Sequence, residues 1–125
     1  MRICPGWSAW RRRRSPTALD AAFAVDVIEH IYLAEEHDFL KNIAGSLSAR
    51  GVAMFGTPNI AAEKHASENS RLGHVNLKDH VALKTTLAAH FHNVFIFSMN
   101  DEVVHTGYYP MAHYLWALCV NPRRP

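Results

Sequence analysis

Apolar and polar positions alternate along this chain in blocks that change period. "LDAAFAVDVI" (19–28) is apolar on both faces around Ala21 to Val25, as in a buried parallel strand. "YLAEEHDFLKNIAGSLSARG" then switches to helical spacing, with Phe39, Leu40, Ile43 and Leu47 forming one stripe. Glu35, Glu36 and Asp38 suit its early turns, where the helix dipole favours anions. Gly51 stands where a C-terminal stop belongs. "VAMFGTP" (52–58) predicts a second buried strand, ended by Pro58, which has no amide hydrogen to continue a ladder.

Residues 59–74, "NIAAEKHASENSRLGH", are polar and loop-like, with room for a short helix. "NLKDHVALKTTLAAHF" predicts a further helix, with Asn76 and Asp79 as a variant capping box and Leu83, Leu87 and Phe91 facing the core. "NVFIFSM" (93–99) and "HYLWALCV" (113–120) predict two more strands, joined by a connection in which Val103 and Val104 can extend the first. The order β-α-β-α-β-β points to an α/β fold with parallel strands. The last two strands lack a helix between them and should pair antiparallel. The sheet then has about four strands, with helices packed on it.

A length of 125 residues suits one domain, and 49% hydrophobic with 19% charged residues describes a globular chain. The formal charge of +2 is unevenly placed. Residues 1–17 hold five of the 13 basic residues and no acid, which leaves 8 basic against 11 acidic residues beyond them. We therefore divide the chain into an irregular Arg-rich leader (1–17), a domain (18–121) and a polar tail (122–125). Trp7 and Trp10 beside the arginines would be the stacking groups of a nucleic-acid arm, but the acidic body gives no support and no nucleic-acid partner is expected. Cys4 and Cys119 match neither a disulfide framework nor a zinc spacing; Cys119 in "LWALCV" reads as a buried, inert thiol. No secretory signal and no membrane span are expected, so the cytoplasm is the default compartment.

"LDAAFAVDVIEHI" followed by "EEHDFLKNIAGSLSARGVAMFGTPN" resembles the central part of class I S-adenosylmethionine-dependent methyltransferases. In that family a strand ends in an acidic residue and an "xxEH" step leads into a leucine-rich helix; the next strand closes in "TPN". "GHVNLKDHVALKTTLAAHF", "NVFIFSM" and "HYLWALCV" resemble the later helix and the closing antiparallel pair, so the likeness covers about residues 19–121. It implies a partial Rossmann-like sheet in the spatial order 21–25, 52–56, 113–120, 93–99. It also implies S-adenosylmethionine as cofactor and a small-molecule acceptor. The family's Gly-rich turn, which brings backbone close to the donor, has no counterpart: Gly6, Gly45, Gly51, Gly56, Gly73 and Gly107 are too scattered. The chain is thus expected to be a truncated methyltransferase-like protein, inactive on its own, or alternatively a non-catalytic accessory subunit.

The resemblance implies donor contact by Val25, Asp26 and Val27, with Glu29, His30 and Asn59 on the substrate side. Asp26 can also cap the following helix, with Glu29 adding favourable charge, and "TPN" can be a turn that ends a strand. Asp26, Glu29 and His30 could share one helical face, but no second ligand set is evident and no metal is expected. Nine histidines follow no metal pattern. His90 and His92, at a helix end, can complement the dipole as cations. His74, in "GHVN", is the candidate general base. An open edge at 21–25 invites self-association.

Overall fold

The computed structural model describes residues 18–124. Within them, five strands form one sheet in the order β1-β2-β5-β3-β4. The strands are β1 (Leu19–Val25), β2 (Leu47–Pro58), β3 (Phe91–Asn100), β4 (Val103–His105) and β5 (Tyr114–Pro122). β1 and β2 run parallel, while β5 lies antiparallel between β2 and β3. The α/β class, the antiparallel closing pair and the expected order of the first four strands are all present. The fifth strand is new: β4 folds back on β3 through Asp101, whose φ of 52° makes the turn. The Arg-rich leader, with Cys4, Trp7 and Trp10, lies outside the described residues.

Among the described residues three α-helices accompany the sheet: α1 (Leu33–Ser46), α2 (Glu68–Gly73) and α3 (His80–Ala88). α1 and α3 cover one face. Leu40 and Ala44 of α1 and Leu83 and Leu87 of α3 meet Ala53, Phe55, Val94, Ile96, Leu115, Ala117 and Cys119 in one core. Leu83 and Leu87 do face inward, but Phe91, also buried there, opens β3 rather than continuing α3, so the expected helix stops short of it. Burial raises the Cys119 thiol to about 12, so it is inert at neutral pH.

Several local readings need correction. Gly51 does not stop α1. The helix ends at Ser46 and Leu47 starts β2 at once. Residues 48–51 then bulge, since Leu19 pairs with Leu47 but Ala21 with Val52. A Cβ on Gly51 would lie 2.8 Å from the Leu47 Cβ, so the bulge requires glycine. The small polar run "SLSARG" conceals this transition, because nothing in it interrupts a helical period. Asn76 is not a cap either: Asp79 itself caps α3, accepting from the Ala82 amide at 2.8 Å. The polar tail is tied to the domain over 122–124. Pro122 belongs to β5, the Arg123 amide donates to the His90 carbonyl at 2.8 Å, and an Arg124 guanidinium N–H donates to the Leu47 carbonyl at 2.6 Å.

The other face of the sheet carries no helix among the described residues. Its side chains form cross-strand rows: Phe23, Met54, Leu118 and Phe95, then Val25, Gly56, Trp116 and Phe97. Phe23 is 82% exposed and Phe95 53%. β1 was expected to be buried on both faces, yet only Ala24 of it is buried.

Candidate functional site

The carboxyl ends of β1 and β2 lie side by side, and the polar residues singled out in the sequence gather there. β1 stops at Asp26, which adopts a left-handed φ of 53° while its amide donates to the Gly56 carbonyl at 3.0 Å. Aspartate tolerates this conformation better than most side chains. Its carboxylate caps nothing: the following 3-10 turn, Ile28–His30, and α1 both begin without a side-chain cap. Instead the Tyr114 hydroxyl donates to Asp26 Oδ1 at 2.8 Å. Burial, reinforced by this hydrogen bond to a carboxylate, pushes the Tyr114 pKa up, so the phenol stays protonated. Tyr114 leans on Trp116, with ring centroids 5.5 Å apart, and Gly56 beneath them leaves room: a Cβ there would come within 2.8 Å of the Tyr114 oxygen. Val25 and Asp26 are exposed and Val27 is half-buried against the core.

Glu29 is fully buried at the base of the site. Its Oε2 accepts from the Thr57 hydroxyl at 3.1 Å, and its Oε1 has no hydrogen-bond partner. The Glu29 carbonyl accepts from the amides of Val75 (2.9 Å) and Asn76 (3.0 Å), which moors the 74–76 segment to the end of β1. His74 is thereby drawn beside His30, with ring centroids 5.2 Å apart, although 44 positions separate them in sequence. His30 Nδ1 lies 2.7 Å from the Gly73 carbonyl, an acceptor, so Nδ1 carries a proton; in the neutral ring this selects the tautomer with the Nε2 lone pair free. That Nε2 is 3.8 Å from Glu29 Oε1. His74 Nδ1 is buried without a partner. His74 therefore joins a cluster with Glu29 and His30.

Asn59 turns inward. Its amide N–H groups donate to the carbonyls of Tyr109 (2.9 Å) and Ala112 (2.8 Å), and its Oδ1 accepts from the Ala61 amide at 3.2 Å. Both donors are thus spent on tying β2 to the approach to β5, and the side chain acts as a buried strut. "TPN" accordingly ends a strand, as its composition allows.

Two polar features escaped the sequence reading. Glu36, read as an early-turn anion, is buried in an ion pair with Lys78 at 2.7 Å, and Asn76 bridges the two. His90 was read as a cation at a helix end, but burial, with His37 beside it at a centroid distance of 5.0 Å, lowers its pKa and favours the neutral ring. Neither could be foreseen from local pattern, because each depends on contacts between elements far apart in the chain. Two shallow hollows occur elsewhere, one lined by His80, Thr85 and Tyr109 and one by His65, Asn100 and His113; Val25, Asp26 and Val27 line neither.

The fold has solved counterparts. A SAM-dependent methyltransferase from Thermotoga maritima, described as a possible histamine N-methyltransferase, superposes with a TM-score of 0.66 at 14% identity, over 86% of this chain and 59% of its own. The N-methyltransferase NodS from Bradyrhizobium japonicum, in complex with S-adenosyl-L-homocysteine, matches with a TM-score of 0.53 at 19% identity, over 87% of this chain and 50% of its own. A putative O-methyltransferase from Nostoc punctiforme matches with a TM-score of 0.54 at 13% identity, over 83% of this chain and 32% of its own. No family model and no curated protein matches the sequence. The fold is that of the Rossmann-like SAM-dependent methyltransferases, and the chain spans at most about three-fifths of the length of these structures.

Proposed function

We propose that this chain supplies the acceptor-facing part of an S-adenosylmethionine-dependent methyltransferase acting on a small molecule, and that it is inactive alone. The observation that carries this reading is the parallel β1–β2 pair, with Asp26, Glu29, His30, Thr57 and His74 collected at its carboxyl ends, in a sheet of methyltransferase order. Open α/β sheets bind ligands outside the carboxyl ends of their strands. Val25, Asp26 and Val27 lie where the end of β1 can meet the donor, and Glu29 and His30 flank the acceptor side. The chemistry asked of the protein is chiefly positioning of a nucleophile against the sulfonium methyl. No pair of glycines here is close enough to form the turn that would grip the donor tightly.

Amide chemical shifts recorded with millimolar S-adenosylhomocysteine should move at Val25, Asp26 and Val27. Unmoved signals there would remove the basis for the reading. Calorimetry should show no affinity tighter than about 100 μM, which corresponds to roughly 5 to 6 kcal/mol of binding. Tight binding would refute the proposed inactivity of the isolated chain.

A second reading, an accessory subunit that associates through the fold, is favoured by the uncovered sheet face and by the outer edge of β1, which pairs with nothing among the described residues. Exposed strand edges template pairing with further strands. Self-association at residues 21–25 is the form proposed. Sedimentation velocity that finds only monomer at high concentration would exclude it.

A further inference from the structure

We infer that Glu29, His30 and His74 form a binding site for a divalent transition-metal ion, with zinc as the best-suited occupant. One ligand atom from each of the three lies within 4.8 Å of the other two. A carboxylate and two imidazoles suit zinc and its neighbours in the first transition row far better than magnesium or calcium, which prefer all-oxygen shells. Three protein ligands leave a coordination position for water or a ligand atom, as in catalytic rather than structural zinc sites.

Four further observations point the same way. Glu29 Oε1 is buried and lacks any hydrogen-bond partner, a costly condition for a carboxylate. His74 Nδ1 is a second buried atom without a partner, and it belongs to the same cluster. The ligands are held from behind: the Gly73 carbonyl fixes the His30 tautomer with Nε2 free, and Thr57 holds the second Glu29 oxygen. Outer partners of this kind orient metal ligands and select their tautomers. Finally, the Glu29 carbonyl binds the amides of Val75 and Asn76, so the backbone brings the three ligands together before any ion arrives.

Ligand atoms on a tetrahedral zinc stand about 3.3 to 3.5 Å apart, given bonds of about 2.0 to 2.2 Å. Closing from 4.8 Å asks for movement on the order of an ångström, and the His30 side chain, 43% exposed, has room to turn. Asp26 is outside the set, because its carboxylate is engaged by Tyr114. This departs from the sequence expectation of no metal: the ligand that completes the set is His74, which no local spacing pairs with Glu29 and His30.

The test is titration of the full chain with Co²⁺, read by its visible absorption bands, and with Zn²⁺ in competition with a chromophoric chelator. One equivalent of Co²⁺ should give bands of a tetrahedral or five-coordinate ion, and Zn²⁺ should abolish them. His74→Ala and His30→Ala should each weaken Zn²⁺ binding at least about 10-fold, the scale on which even outer-shell partners act. His65→Ala, at an exposed histidine elsewhere, should leave it unchanged. Glu29→Gln tests the carboxylate, and circular dichroism checks that it folds; should it not fold, the two His variants decide. Absence of one-equivalent bands, or His30 and His74 variants that bind like the parent, would overturn the site.

Discussion

The two faces of the sheet are built from the same strands and have opposite fates. On one, Ala53, Phe55, Ala117, Cys119, Val94 and Ile96 alternate inward and lie beneath α1 and α3. On the other, Phe23, Met54, Phe95 and their neighbours meet solvent. Strand composition does not distinguish them, since both carry aromatic and aliphatic side chains at successive positions. Helix supply makes the difference: α1 and α3 both fall on the same side, which leaves nothing among the described residues to shield the reverse. An apolar strand face is thus a request for cover, which the rest of the structure grants or withholds.

This contrast can be broken by substitution. Phe55→Ala, on the covered face, is predicted to cost about 3 to 5 kcal/mol, because it opens a cavity that the helices cannot collapse; urea denaturation measures it, and a loss under 1 kcal/mol would mean the helices do not seal this face. Lys78→Met is predicted to cost a similar amount, about 3 to 5 kcal/mol, by stranding the buried Glu36 carboxylate, and adding Glu36→Leu should recover most of it. If the double variant is no more stable than the single, the pair is not what joins α1 to the approach to α3. Asn59→Ala should cost about 1 to 3 kcal/mol by leaving carbonyl groups of Tyr109 and Ala112 unsatisfied.

The pH response sharpens the comparison further, since His90 belongs to the covered side. Its pKa is lowered by burial and by His37, so the unfolded chain takes up a proton more readily than the native one. Stability contributed by the neutral ring is present above the ordinary histidine pKa, about 6.5, and declines as pH falls through and below it. His90→Gln should flatten that part of the pH–stability curve; an unchanged slope would assign the acid sensitivity to another group. The smallest expected effect is on the bare face. Phe23→Lys should change monomer stability by less than about 0.5 kcal/mol while lowering any tendency to self-associate, as sedimentation would reveal. A large destabilisation would mean that this face is covered after all.

Much of the fold was legible in the sequence because its signals are local. Runs such as "AAFAV" and "VFIFSM" declare strands, and the Leu83–Leu87 spacing declares which side of α3 is buried. The strand order was legible only through family resemblance, since the sequence does not say that β5 inserts between β2 and β3. The Gly51 bulge was hidden because its cause, the parallel register with β1, lies some thirty residues earlier. The candidate site was half visible: Glu29 and His30 adjoin in sequence, but their meeting with Thr57 and His74 depends on strand pairing and on two backbone hydrogen bonds to Glu29. The inward turn of Asn59 was invisible for the same reason, because its partners at 109 and 112 come from the far side of a long excursion.

The insertion of β5 also has a consequence for biosynthesis. The central strand of the sheet is the last of the five to be made, so β2 and β3 share no sheet hydrogen bonds until it arrives. A nascent chain that stops short of residue 114 holds a parallel pair and a separate hairpin, each with an unfilled flank. Folding can follow translation by degrees in many domains; here the decisive contacts must await one late segment. Truncation a few residues into β5 should therefore be far more damaging than its length suggests.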